Sequence, residues 1–168
     1  MIQVVSEVGR LRRVIVHPPG PALERMLPDH IDPASPRYLL FDDLVDVRAA
    51  QDEHRQLCEV LGSAAEVLYF QDLLATTLEN VQCRRALMDD VAQLEGLTGA
   101  QMASLEALSS VELAQSLVVG TVGGTLDGEP LFAPSPNLIF TRDLAAVVGR
   151  TVIVGNANKA ARRRETML

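Results

Sequence analysis

Pro136-Asn137-Leu138-Ile139-Phe140-Thr141-Arg142-Asp143 gathers an amide, an aromatic ring, a guanidinium and a carboxylate on one short stretch. Leu138, Ile139 and Phe140 favour a strand, and Pro136 can stand at a strand's start but not inside it. The stretch reads as an extended segment with an apolar middle and a polar carboxyl end. Successive strand residues point to opposite faces, so Arg142 and Asp143 cannot both look into one cleft. Two readings stay open: an ion pair at a strand end, or one charge turned toward a site.

Working outward, residues 144–148 and 151–155 are apolar runs joined by Gly149-Arg150, the pattern of a β-hairpin. Residues 121–134 form a return loop with turn signals at Gly123-Gly124 and Asp127-Gly128. The loop carries neither GxGxxG nor a GK[ST] ending, so phosphate binding has no support there. Residues 11–16 read as the first strand, which His17-Pro18-Pro19-Gly20-Pro21 ends. His17 reads as a turn-stabilising residue. The connection 21–41 is rich in Pro, Asp and Arg, and loops of that length are often lids or binding loops. A helix is expected over residues 44–61, with Asp42 or Asp43 as its cap. Ala50, His54, Leu57, Cys58 and Leu61 share its apolar face, and Gly62 is placed to end it. Residues 65–70 read as the second strand.

From residue 72 to 120 the pattern is helical throughout. Leu87, Val91 and Leu94 line one face, and Thr98-x-x-Gln101 and Ser109-x-x-Glu112 fit the capping box. The expected class is therefore α/β, with a helical bundle over 72–120 inserted between the strand-bearing parts 1–71 and 121–168.

Composition bounds the function. Apolar residues make up 48% of the 168 residues, enough for a core, while aromatics are 4% with no Trp, so aliphatic packing must dominate. The net charge of −7 and the absence of a basic stripe exclude nucleic acid as an expected partner. No apolar run is long enough to span a bilayer, and Glu7, Arg10, Arg12 and Arg13 interrupt any signal-peptide core. Cys58 and Cys83 have no CxxC spacing and sit in helical patterns, so they read as buried thiols in a reducing, cytoplasmic compartment. No metal or cofactor is expected. The triple Arg162-Arg163-Arg164 reads as a solvated face.

The opening stretch closely resembles a signature of arginine deiminases, in the guanidino-group-modifying superfamily. Three further segments agree in order: Ser6-Glu7-Val8-Gly9-Arg10-Leu11-Arg12-Arg13-Val14-Ile15-Val16-His17-Pro18-Pro19-Gly20, then Leu39-Leu40-Phe41-Asp42-Asp43, then Arg162-Arg163-Arg164-Glu165-Thr166. The resemblance implies a pentein-like α/β propeller of five pseudo-repeated units, of which this chain supplies a part around the helical insertion. It implies L-arginine as the ligand, hydrolysed to L-citrulline and ammonia in arginine catabolism. It assigns Asp143, as a catalytic residue, to the substrate guanidinium. Asn137 and Arg162 go to the substrate carboxylate end, and Phe140 to the guanidinium plane. Leu40, Phe41, Asp42 and Asp43 would cover the ligand. A guanidinium offers five donors in a fixed fork and needs carboxylate acceptors, so these residue types suit the task.

The family's nucleophilic cysteine and catalytic histidine come from later segments, which find no match here. The chain is therefore expected to be an N-terminal portion, inactive alone, weak in arginine binding, and prone to self-association or in need of a C-terminal half. Alternatives are an amidinotransferase, a dimethylarginine hydrolase, or a non-catalytic arginine-binding module.

Overall fold

The computed structural model describes residues 3–6 and 8–168. Glu7, part of the first resemblance segment, lies outside the described residues. Strand β1 (Arg13–Val16) pairs in parallel with β2 (Glu66–Tyr69), with Arg13 opposite Glu66 and Val16 opposite Tyr69. The connection between them contains a short helix α1 (Pro21–Glu24), a 3-10 turn at Pro28–His30, and helix α2 (Val47–Gly62). Helix α2 starts later than its sequence pattern predicts because Asp46, not Asp42 or Asp43, caps it. Asp46 Oδ1 accepts from the Arg48 and Ala49 amides at 3.1 Å each. Asp43 Oδ1 instead takes the neighbouring Leu44 amide at 2.7 Å. The predicted apolar face of α2 is only half covered: Ala50, His54, Cys58 and Leu61 are partly buried, and Leu57 is exposed.

The helical stretch resolves into α3 (Phe70–Leu78), α4 (Val81–Glu95), α5 (Gly99–Glu106) and α6 (Ser110–Val119). Both expected capping boxes form, at Thr98/Gln101 and Ser109/Glu112. Leu74, Leu78, Met88, Val91, Leu105, Leu113, Ala114 and Leu117 build one aliphatic core among these helices. Gly120 ends α6 at φ +82°, where a Cβ would stand 2.4 Å from the Phe132 carbonyl oxygen, so only glycine fits.

The return segment departs from the sequence reading. Pro136–Asp143 is not a strand. It forms two consecutive 3-10 turns, Pro136–Ile139 and Thr141–Asp143, broken at Phe140 (φ −93°, ψ 59°). Pro136 fixes φ and lacks an N–H, and no neighbouring strand offers a ladder. The chain satisfies itself locally: the Phe140 amide donates to the Asn137 carbonyl at 2.9 Å and the Asp143 amide to the Phe140 carbonyl at 3.0 Å. Thr141 Oγ1 donates to the Ile15 carbonyl at 3.1 Å and ties the second turn to β1. The expected hairpin follows as β3 (Ala145–Val148) and β4 (Thr151–Val154), with Gly149 at φ +60° in the turn. A last short helix, α7 (Ala160–Arg163), leads into Arg164 and Glu165. Mixed helices and small sheets make this an α/β molecule.

Candidate functional site

The two 3-10 turns place Asn137 and Asp143 against the end of α7. Arg162 is the centre of the arrangement. Its Nη1 donates to Asp143 Oδ2 at 2.6 Å, its Nε to Glu165 Oε2 at 2.7 Å, and its Nη2 to the Asn137 carbonyl at 3.3 Å. One guanidinium thus uses three edges on three partners. The Arg162 side chain is mostly buried and that of Glu165 fully so, whereas the Asp143 side chain is 53% exposed. Three of the four residues named from sequence, Asn137, Asp143 and Arg162, meet here.

Glu165 is the member the sequence reading passed over. Its Oε1 is buried without a hydrogen-bond partner. Burial pushes its carboxyl above the usual carboxylate range, opposed by Arg162 and Arg164. The signal was present as a carboxylate three residues after Arg162, the spacing that brings side chains together on one helical turn.

Asn137 is buried, and its Nδ2 donates to the Leu39 carbonyl at 2.8 Å. That bond fixes the Leu39-Leu40-Phe41 segment beside the turns. Leu40 holds φ +66°, the one non-glycine residue with positive φ among the described residues. Such a conformation costs roughly 1–3 kcal/mol and persists only where neighbours impose it. Here Asn137 grips the Leu39 carbonyl, and the Leu39 amide donates to the His30 carbonyl at 2.8 Å. Phe41 is buried, and its ring lies 6.3 Å from that of Phe140, tilted 36°. Phe140 is 48% exposed and faces outward from the break between the turns. Asp42 and Asp43 are exposed.

The solvated-face reading of the arginine triplet holds only for Arg163. Arg164 is 5% exposed and reaches into the helical unit. It donates to the Leu117 carbonyl at 3.1 Å, to Ser135 Oγ at 2.7 Å, and to Glu95 and the Ala133 carbonyl. Its guanidinium also stacks 4.1 Å above the Phe132 ring. An apolar turn-rich environment with several carbonyls explains the departure, since only a long cation can reach them all.

The histidines and cysteines stand elsewhere. His17 is buried edge-on to Phe70 at 5.9 Å, with its pKa lowered to about 4 chiefly by burial. It is a core residue rather than a turn stabiliser. His30 is buried, and its Nδ1 accepts from the Leu27 amide at 3.1 Å. Neither thiol is buried as expected: Cys58 is half-buried and Cys83 is exposed, because α2 and α4 present those positions to open faces. Among the described residues no cluster of three His, Cys, Asp or Glu could hold a metal, and no helix is long and apolar enough to cross a membrane.

Comparison with known proteins gives the family. The family model described as arginine deiminase matches residues 37–128 and 122–168. Arginine deiminases of Streptococcus uberis and Staphylococcus epidermidis are 32% and 34% identical to the chain over 99% of its length. The chain spans 45% and 44% of the length of those relatives.

Proposed function

The chain belongs to the arginine deiminase family, and we propose on that premise that Asp143, Arg162 and Asn137 are its contribution to a site hydrolysing L-arginine to L-citrulline and ammonia. One observation carries the reading. Asp143 holds a guanidinium at 2.6 Å while remaining half open to solvent. A substrate guanidinium needs the same acceptor. Arginine binding is then an exchange of partners. The substrate's guanidinium takes Asp143 from Arg162, and Arg162, still held by Glu165, turns to the substrate carboxylate. Asn137 serves that end by bracing Arg162 through its carbonyl and fixing the Leu39 segment. Phe140, beside Phe41, offers a ring for the guanidinium plane.

Deimination in the resembled family proceeds through a thiolate attacking the guanidinium carbon, loss of ammonia and release by water, with a histidine and a second carboxylate moving protons. Neither Cys58 nor Cys83 stands among the partners of Asp143 or Arg162. The chain by itself is expected to release no citrulline. In this reading the strand-bearing parts 1–71 and 121–168 are units of a pentein-like propeller in the cytoplasm, and 72–120 is its helical insertion. That neither thiol is among the partners of Asp143 favours a second reading, an arginine-binding module without chemistry.

The test combines this chain with the complementary part of a relative and measures citrulline. Asp143→Asn turns one acceptor of the fork into a donor and should end turnover. Arg162→Ala should raise the arginine requirement by an amount equal to about 2–5 kcal/mol, and leave agmatine, which lacks the carboxylate, nearly unaffected. Equal losses for both ligands would contradict the assignment. Arginine binding without citrulline in the combined protein would establish the second reading.

A further inference from the structure

Cys58 lies on the face of α2 turned to β2, far along the chain from the residues gathered around Arg162. Its Sγ is 3.5 Å from His54 Nδ1 and 3.9 Å from Nε2. The spacing of four residues on one helix stacks the two side chains. Tyr69, the last residue of β2, lines the same cleft, and its pKa is raised chiefly by electrostatic interaction with Cys58. The three groups line a cleft of about 480 Å³ with Pro18, Pro19, Gln51, Arg55 and Glu59. The cleft is preorganised: Gln51 Nε2 donates to the Pro19 carbonyl at 3.1 Å. Burial lowers the His54 pKa, so the ring is neutral and able to take a proton.

We propose that Cys58, with His54 as proton acceptor, is a thiol–disulfide exchange site for a small neutral or cationic disulfide. The Cys58 thiol proton passes to His54. Cys58 Sγ then attacks one sulfur of the disulfide, forming a new S–S bond as the old one breaks. The Cys58 sulfur is oxidised and the departing sulfur is reduced; it leaves as a thiolate and takes the proton back from His54. The disulfide is itself the oxidant, so the step balances.

Charge sets the class of reagent. Arg55 is already paired with Asp52 and Glu59 at 3.2 Å each, and Asp72 on α3 acts on Tyr69. His17, behind the cleft, is neutral. Arg55, the cation in the cleft lining, is offset by Glu59 in the same lining and by Asp52 beside it, so an anionic disulfide is disfavoured and a cationic one favoured. Cys83 supplies an internal control. It is exposed on α4, with no histidine partner among the described residues.

The experiment treats the intact chain with cystamine, and separately with the anionic dithiobis(nitrobenzoate), from pH 4 to 9, and locates the mixed disulfide by peptide mass. Cys58 should react with cystamine roughly tenfold or more faster than Cys83. The cystamine preference, relative to free cysteine, should exceed that for the anionic reagent. His54→Gln should remove most of the advantage and leave Cys83 unchanged. Equal rates at the two cysteines would overturn the proposal in the unmodified protein, whatever His54→Gln does to folding.

Discussion

The helical unit and the strand-bearing part of this molecule are built to different standards of closure. In α3 to α6 the aliphatic residues face one another, and Val91, Leu105, Leu113 and Leu117 lose all contact with water. In the strand-bearing part, α2 has no fully buried residue and every residue of β4 is exposed. Among the described residues both sheets have two strands, so each leaves unpaired edges. The helical unit closes with local contacts, whereas β1, β2, β3 and β4 offer surfaces that their own chain does not cover. The site residues sit on the seam. Arg162 joins Asp143 beside the hairpin, and Arg164, two residues on, is anchored among the helices.

Arg164 is therefore the strongest test of that comparison. Arg164→Ala deletes the cation that holds Glu95, Ser135 and the Leu117 and Ala133 carbonyls together. Breaking a buried charge pair by removing one partner costs about 3–5 kcal/mol. Urea unfolding should then separate into two transitions, with the segment carrying Arg162 lost first. A single transition shifted by under about 1 kcal/mol would mean that the two regions are not joined through this side chain.

A paired truncation sharpens the contrast. Leu113→Ala, in the closed helical core, should cost about 2–5 kcal/mol. Ile153→Ala, at a residue 56% exposed on β4, should change stability by no more than about 0.5 kcal/mol. Similar costs for both would show that the hairpin is covered in solution.

The same division decides what was legible in the sequence. Local signals carried the helices and the hairpin: the Thr98 and Ser109 capping boxes and the Gly149-Arg150 turn all form where the residues say. The strand reading of residues 136–143 failed because β propensity measures fit to a sheet, and no sheet passes this position. Pro136 and Asn137 then chose turns. Asn137, Asp143 and Arg162 were readable as a group through resemblance, but their mutual contact was not. Glu165 and Arg164 were missed because charged residues in a row look solvated, and only the fold reveals that two of the four in Arg162–Glu165 are nearly sealed. Asp46 displaced Asp43 as a cap by a register that sequence spacing cannot fix.

His17 probes the seam by pH. Its folded pKa is about 4 against an ordinary value of 6.5, so between those values the unfolded chain binds a proton that the folded chain refuses. Its contribution is full above the ordinary value and is lost as pH falls toward the folded one, amounting to about 3 kcal/mol. Glu165 has the opposite sign: its raised pKa favours the folded state at lower pH, and that contribution is lost as pH rises through it. His17→Gln should flatten the loss of stability between pH 6.5 and 4 seen by urea unfolding. An unchanged slope would place the acid sensitivity elsewhere.

The smallest change in stability should accompany a clear change in association. Val152, Ile153 and Val154 are exposed on β4, and Val154 is 60% exposed. Among the described residues β4 pairs only with β3, so its outer edge offers N–H and C=O groups beside this apolar row. An exposed apolar strand edge is a template for pairing with another chain. The chain should therefore show a concentration-dependent increase in mass by light scattering. Ile153→Lys places a charge on that strand, where no core contact is lost, so the urea midpoint should move by about 0.5 kcal/mol or less. Association should fall sharply, because a lysine on an edge strand must be desolvated for a second strand to dock. If the parent chain is strictly monomeric, the open surfaces of the strand-bearing part do not drive association. If Ile153→Lys leaves an associating parent unchanged, the contact lies on another open face, with β1 and β2 the next to test.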